Sequence, residues 1–172
     1  MNSLLKVVSL TLSVIVFNVL LNVEAQSGTS VILGNKHYYI ETTEQVGFYE
    51  ASNNCAKLSM TLVSIENKTE YDKLKNFLQI NELSNDYWLG GNSYGSSNSS
   101  VVYSWLGTGK RIGFWPGEAL NDADKCVFID SSFTYTEASA CTDDKYYICD
   151  KPIEPACGKY GQCRYSFSSY GS

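Results

Sequence analysis

"LVSIENKTEY", Leu62 to Tyr71, changes character halfway along. Its first four residues form a short apolar run that suits a strand or a tight connection. Asn67, with Glu70 three residues on, is then an Asn form of the capping box that opens a helix. Downstream, Tyr71, Leu74, Phe77 and Leu78 recur at helical spacing, so "NKTEYDKLKNFL" reads as one amphipathic helix. Upstream, "GFYEASNNCAKL" sets Phe48, Ala51, Ser52, Cys55 and Leu58 at the same spacing. That is another helix, with Cys55 on its buried face. Before it, "KHYYIETT" alternates as a first strand behind a short polar lead. Beyond Tyr87 come the short β-prone runs "YWLGG", "VVYSWLG", "CVFID" and "KYYICD", set apart by Gly, Ser, Asn and Asp, with "GGNSYGSSNSS" as loop. Two helices followed by several strands is an α+β order, not an alternating βαβ one.

The ends and totals bound the rest. Residues 1–25 read as a secretory signal: Lys6, an apolar run, then Val23-Glu24-Ala25 with the small-residue spacing a signal peptidase needs. Residues 26–35 are the lead, 36–151 the folded domain and 152–172 a cysteine-containing extension, polar and aromatic without periodicity, expected to be partly disordered. No later stretch is long and apolar enough to span a bilayer. A net charge of −5 gives no electrostatic case for nucleic acid or anionic lipid. Six cysteines, Cys55, Cys126, Cys141, Cys149, Cys157 and Cys163, suit disulfides in a secreted, extracellular chain, and spacing alone leaves their pairing open. Zinc is disfavoured, because no C-x2-C pair exists and His37 is the only histidine. Asn67-Lys-Thr and Asn98-Ser-Ser are glycan sequons.

Taken in order, the helix bearing Cys55, "LVSIENKTEY", "YWLGG", Cys126 with Cys141, and "YYIC" ending at Cys149 resemble the C-type lectin domain. The long "FWPGEALNDADKC" is most similar to the secreted lectins of insects. The resemblance implies two helices packed on short antiparallel sheets with a long irregular loop region. It also implies Cys55–Cys149 and Cys126–Cys141 bridges, leaving Cys157 for Cys163. In the chain-entropy model, closing a hundred-residue loop contributes about 4.7 kcal/mol and closing fifteen residues about 3 kcal/mol.

Sugar-binding members of that family carry Glu-Pro-Asn or Gln-Pro-Asp in this loop, with a cis proline bond, an acid two before the cysteine and Trp-Asn-Asp before the next one. Position by position, Glu118 matches the Glu and Asp124 the acid, but Ala119 stands for the proline and Leu120 for the Asn. The later triplet reads Thr136-Glu137-Ala138. A cis bond before Ala119 would cost about 3–4 kcal/mol, against about 0.5–1 kcal/mol for a proline. Leu120 has no side-chain oxygen, and Ala138 lacks a carboxylate. Glu118, Asp124 and Glu137 remain as candidates for at most a weak calcium site, with Asn121 or Asp122 as substitutes. Asn121 and Trp115 complete the candidate ligand-binding set, Trp115 as a stacking face. No EF-hand is present, since Val127 falls where its glycine must be, counting from Asp122. No nucleophile motif or histidine-rich set marks an enzyme. The expected function is lectin-like recognition of a glycan or glycoprotein with a degraded calcium and sugar motif, or calcium-independent binding of a protein partner.

Overall fold

The computed structural model describes residues 28–97 and 100–153. The signal segment, the Asn98 sequon, Cys157, Cys163 and the C-terminal tail lie outside those residues. Among these residues, eight strands and two helices follow in the order β1 (Thr29–Leu33), β2 (Lys36–Ile40), α1 (Phe48–Lys57), β3 (Thr61–Leu62), α2 (Lys68–Ile80), β4 (Tyr87–Asn92), β5 (Ser104–Trp105), β6 (Cys126–Ile129), β7 (Tyr135–Glu137) and β8 (Tyr146–Pro152). The sheet runs β1-β2-β8-β4-β6-β7, with β3 beside β8 and β5 beside β4. Every strand pairing is antiparallel except β4 with β8, where Tyr87 faces Tyr146 and Trp88 faces Tyr147 in parallel.

Alternation along the central strands splits the core in two. Tyr87 and Leu89 of β4, Val127 and Ile129 of β6 and Ile148 of β8 join Tyr71, Leu74 and Leu78 of α2 in one cluster. Trp88, Cys126, Phe128, Tyr147 and Cys149 join Phe48, Ala51 and Cys55 of α1 in the other. Because successive strand residues point to opposite faces, the sheet lies between the two helices. The glycines of "YWLGG" let that sheet be approached closely. A Cβ on Gly90 would meet the Leu62 carbonyl at 2.7 Å, and one on Gly91 would meet Ile112 Cδ1 at 2.9 Å.

Helix α2 begins as its sequence indicates. The Asn67 side chain accepts the Glu70 N–H at 3.0 Å. The Glu70 carboxylate, however, reaches back to the Glu66 N–H at 3.0 Å, one residue further than a capping box requires, and also pairs with Lys36 at 3.3 Å. The 26–35 lead is not plain loop. Its residues 29–33 form β1, which turns through Gly34 (φ +67°) and Asn35 into β2, with Leu33 opposite Lys36. Disulfides join Cys55 to Cys149 and Cys126 to Cys141. Among the described residues no helix is long and apolar enough to cross a membrane.

Candidate functional site

The chain leaves the sheet at Asn92 and returns at Cys126, two positions that face each other across β4 and β6. Between them β5 pairs briefly with β4, and residues 101–120 pack largely on the α2 face. Tyr103, Trp105 and Ile112 are buried there, and Phe114, Trp115 and Leu120 pack against the same cluster. Trp115 meets Tyr103 edge-on at 5.5 Å between ring centroids and Tyr135 at 6.1 Å. It is half-buried among other rings, so it braces the loop from beneath rather than presenting a clear stacking face. Trp105 is core, in edge contact with Tyr135. The Tyr135 hydroxyl is buried without a hydrogen-bond partner, and burial pushes its pKa well above the ordinary value.

The base of the loop is tied by Ser93, which is fully buried. Its hydroxyl donates to the Asp122 carbonyl at 2.8 Å and accepts the Lys125 N–H at 2.9 Å. The tip is organised by Glu137 of β7. One carboxylate oxygen, Oε1, accepts the Asn121 N–H at 2.9 Å, the Asp122 N–H at 3.0 Å and the Tyr103 hydroxyl at 2.5 Å. The Tyr103 oxygen also lies 2.8 Å from the Asp122 carbonyl. Burial first, and then this bond to Glu137, raise the Tyr103 pKa above the usual range. The sequence does not mark Ser93, and it marks Tyr103 only as one of the loop aromatics with a face that could stack on a sugar, not as a support. Tyr103 lies 34 residues from Glu137, and no local pattern marks either residue as a loop support.

The predicted ligand residues are not gathered. Glu118 is exposed, beside Gly117 at φ +111°, and makes no hydrogen bond to another described residue. Asp124 is exposed on a left-handed backbone at φ +56°. Asn121 and Asp122 are exposed and contribute main-chain donors to Glu137. Leu120 turns into the core cluster, and Ala138 is buried in the other one. Among the described residues no set of three His, Cys, Asp or Glu side chains comes together that could hold a metal ion. One of the two Glu137 oxygens, Oε1, is already taken by three hydrogen-bond donors. His37 is half-buried on β2 opposite Lys151 of β8, remote from the loop in the strand order.

Two helices pack against a mixed sheet with a long loop excursion between β4 and β6, and sequence comparison places the chain within a family. The profile described as the lectin C-type domain matches residues 44–151, and the chain belongs to that family. It is 25% identical over 135 residues to C-type lectin 37Da of Drosophila melanogaster, covering 72% of this chain and 73% of that protein. In fold it is similar to the SPL-1–GlcNAc complex, with a TM-score of 0.61 at 21% identity, covering 75% of this chain and 96% of that one. The Ca2+-independent C-type lectin SPL-2 from Saxidomus purpuratus matches with a TM-score of 0.59 at 18% identity, covering 71% and 90%.

Proposed function

We propose that this chain is a secreted, non-enzymatic C-type lectin-like module that recognises glycans without a calcium bridge. The carrying observation is the Glu137 carboxylate, which takes two backbone amides and the Tyr103 hydroxyl on one oxygen. In this reading an internal anion holds the loop in shape, the work that a bound cation does where a metal cage exists. Recognition then falls to exposed polar groups, with Glu118, Asn121 and Asp124 on the loop, and any calcium held there is weak. The Drosophila relative and the two solved lectins support glycan as the ligand class.

A protein partner is the second reading, favoured by Tyr49 and Tyr94. These are 55% and 42% exposed, with ring centroids 5.9 Å apart, and form an open aromatic pair beside the root of the loop. Asn67 carries the proposed glycan of the chain itself. It is exposed, and its capping oxygen is engaged while its amide nitrogen makes no hydrogen bond to a described residue.

A glycan array probed in calcium and again in chelator tests the main reading. The same sugars should bind in both buffers. Binding abolished by chelator would refute calcium independence, and an array blank in both would refute glycan recognition and leave the protein-binding reading. Full occupancy of a tight site at 100 times its dissociation constant would stabilise the fold by about 2.7 kcal/mol; the expected gain in millimolar calcium is clearly smaller.

A further inference from the structure

At the end of β4 and β6 opposite the long loop, the turn before β4, the β6–β7 hairpin and the lead into β8 surround an open polar hollow of about 290 Å³. Ligand pockets run upward from about 300 Å³, so this one suits a single ring and not an extended chain. Asn85, Asp86, Ser131, Asp144, Lys145 and Tyr146 line it.

Lys145 sets the chemistry. Its ammonium lies 4.2 Å from the Phe128 ring centroid and 5.4 Å from that of Trp88, and its side chain is 13% exposed. The Asp86 carboxylate stands 3.9 Å away, too far for a hydrogen bond. A donor and an acceptor therefore face each other across a gap that one hydroxyl group can bridge, accepting from Lys145 and donating to Asp86. Around them, the Ser131 hydroxyl and the Asp144 carboxylate make no hydrogen bond to other described residues, and the Asn85 amide nitrogen makes only a 3.4 Å contact with the Tyr87 hydroxyl. Tyr146, half-buried and 5.9 Å from Tyr87 between centroids, supplies a ring. Two carboxylates against one ammonium disfavour an anionic ligand, and the ammonium disfavours a bare cation.

The rim is fixed before any ligand arrives. Asp130 accepts the N–H groups of Ser132 and Thr134, both at 2.9 Å, and the hydroxyls of Thr134 and Thr136 at 2.5 and 3.2 Å. Phe133 holds a left-handed backbone at φ +64°, costly for a bulky residue, and its carbonyl accepts the Tyr71 hydroxyl at 2.6 Å. Ser131, between Asp130 and these anchored residues, has little freedom left to lose on binding.

We propose that this hollow binds one neutral sugar residue, with a hydroxyl bridging Asp86 and Lys145, independently of metal and of the long loop. The inference rests on the glycan reading above but names a different site. It is tested by following amide shifts of the isotope-labelled protein in chelator, while adding methyl α-mannoside, methyl β-galactoside or N-acetylglucosamine. Saturable shifts at 84–86, 131 and 144–146, with a Kd on the order of 1 mM, are expected for one of the three. Asn85→Ala with Asp86→Ala should weaken that binding by about tenfold or more. Ser131→Tyr, which fills the hollow without touching the ion pair, should do the same if the double variant misfolds. Shifts confined to residues 117–125 would overturn the hollow and leave glycan recognition standing. No saturable shift with any of the three sugars would also overturn the hollow, and the array then decides the wider reading.

Discussion

Replacing Glu137 by Ala strands two backbone amides and one phenol at once. Asn121 and Asp122 are exposed, so water takes over part of what is lost, and the expected cost is about 1–2 kcal/mol rather than the full value of three buried bonds. The sharper signal is local: hydrogen exchange at the Asn121 and Asp122 amides should accelerate in Glu137→Ala, while Glu137→Gln, which keeps an acceptor, should fall between. If exchange at both amides is unchanged, the carboxylate does not hold the loop. The phenol adds a pH test. Burial and the Glu137 bond raise the Tyr103 pKa in the folded state. Its contribution is therefore complete below the unfolded value of about 10 and is lost as pH rises through the higher folded one. Glu137→Ala should bring the Tyr103 ionisation down toward the ordinary range, read by ultraviolet titration of phenolate.

At the scale of elements, both helices stop without glycine. After α1, Ser59 lies at φ +56°, with its N–H bonded to Ala56 and that of Met60 to Cys55. After α2, Glu82 lies at φ +57°, with its N–H on Gln79 and that of Leu83 on Leu78. This is the Schellman arrangement with a side chain where glycine is preferred. Glu82 is exposed, so Glu82→Gly should stabilise the fold by about 0.5–1 kcal/mol despite the extra freedom of the unfolded chain, shown as a higher urea midpoint with an unchanged slope. A lower midpoint would mean the glutamate makes a compensating contact. The same residues explain what was legible in advance. Helix α2 could be found because Asn67, Glu70 and its apolar stripe are local signals. Its last turn, Gln79 and Ile80, ran past the expected end because no glycine marks the stop. Strand β1 falls within what the sequence presents as a polar lead, although Gly34-Asn35 ahead of the alternating KHYYI is a hairpin signal. In the site, Ala119, Leu120 and Ala138 are legible as residue types that depart from the motif the resemblance implies. The support by Glu137 was not, because its donors are 15, 16 and 34 residues away and only the folded loop brings them together.

Over the whole molecule, Lys36 is a joint between layers. Its ammonium pairs with Asp150 of β8 at 2.9 Å and Glu70 of α2 at 3.3 Å and donates to the Ser64 carbonyl, with Lys36 13% and Asp150 6% exposed in their side chains. Burial raises the Asp150 pKa, with the Lys36 charge acting against it. Lys36→Met leaves that carboxylate uncompensated and should cost about 3–5 kcal/mol, whereas adding Asp150→Leu should recover most of the loss. The raised pKa gives the sign: below the unfolded carboxylate pKa the group is protonated and harmless, and the single variant's deficit should grow as pH rises through the folded value. A double variant as weak as the single one would show that the joint is not electrostatic. The Cys55–Cys149 bridge has a consequence of another kind. Lys110 and Arg111 are exposed in the loop excursion, both inside the covalent ring that this disulfide closes. A tryptic cut there should leave one band on a gel until reductant is added, then two. Scission would open a chain end without releasing a fragment, and β4, β6 and β8 would still hold the severed halves in register. In the secreted setting proposed above, the molecule could be nicked at this exposed basic pair and remain a single particle.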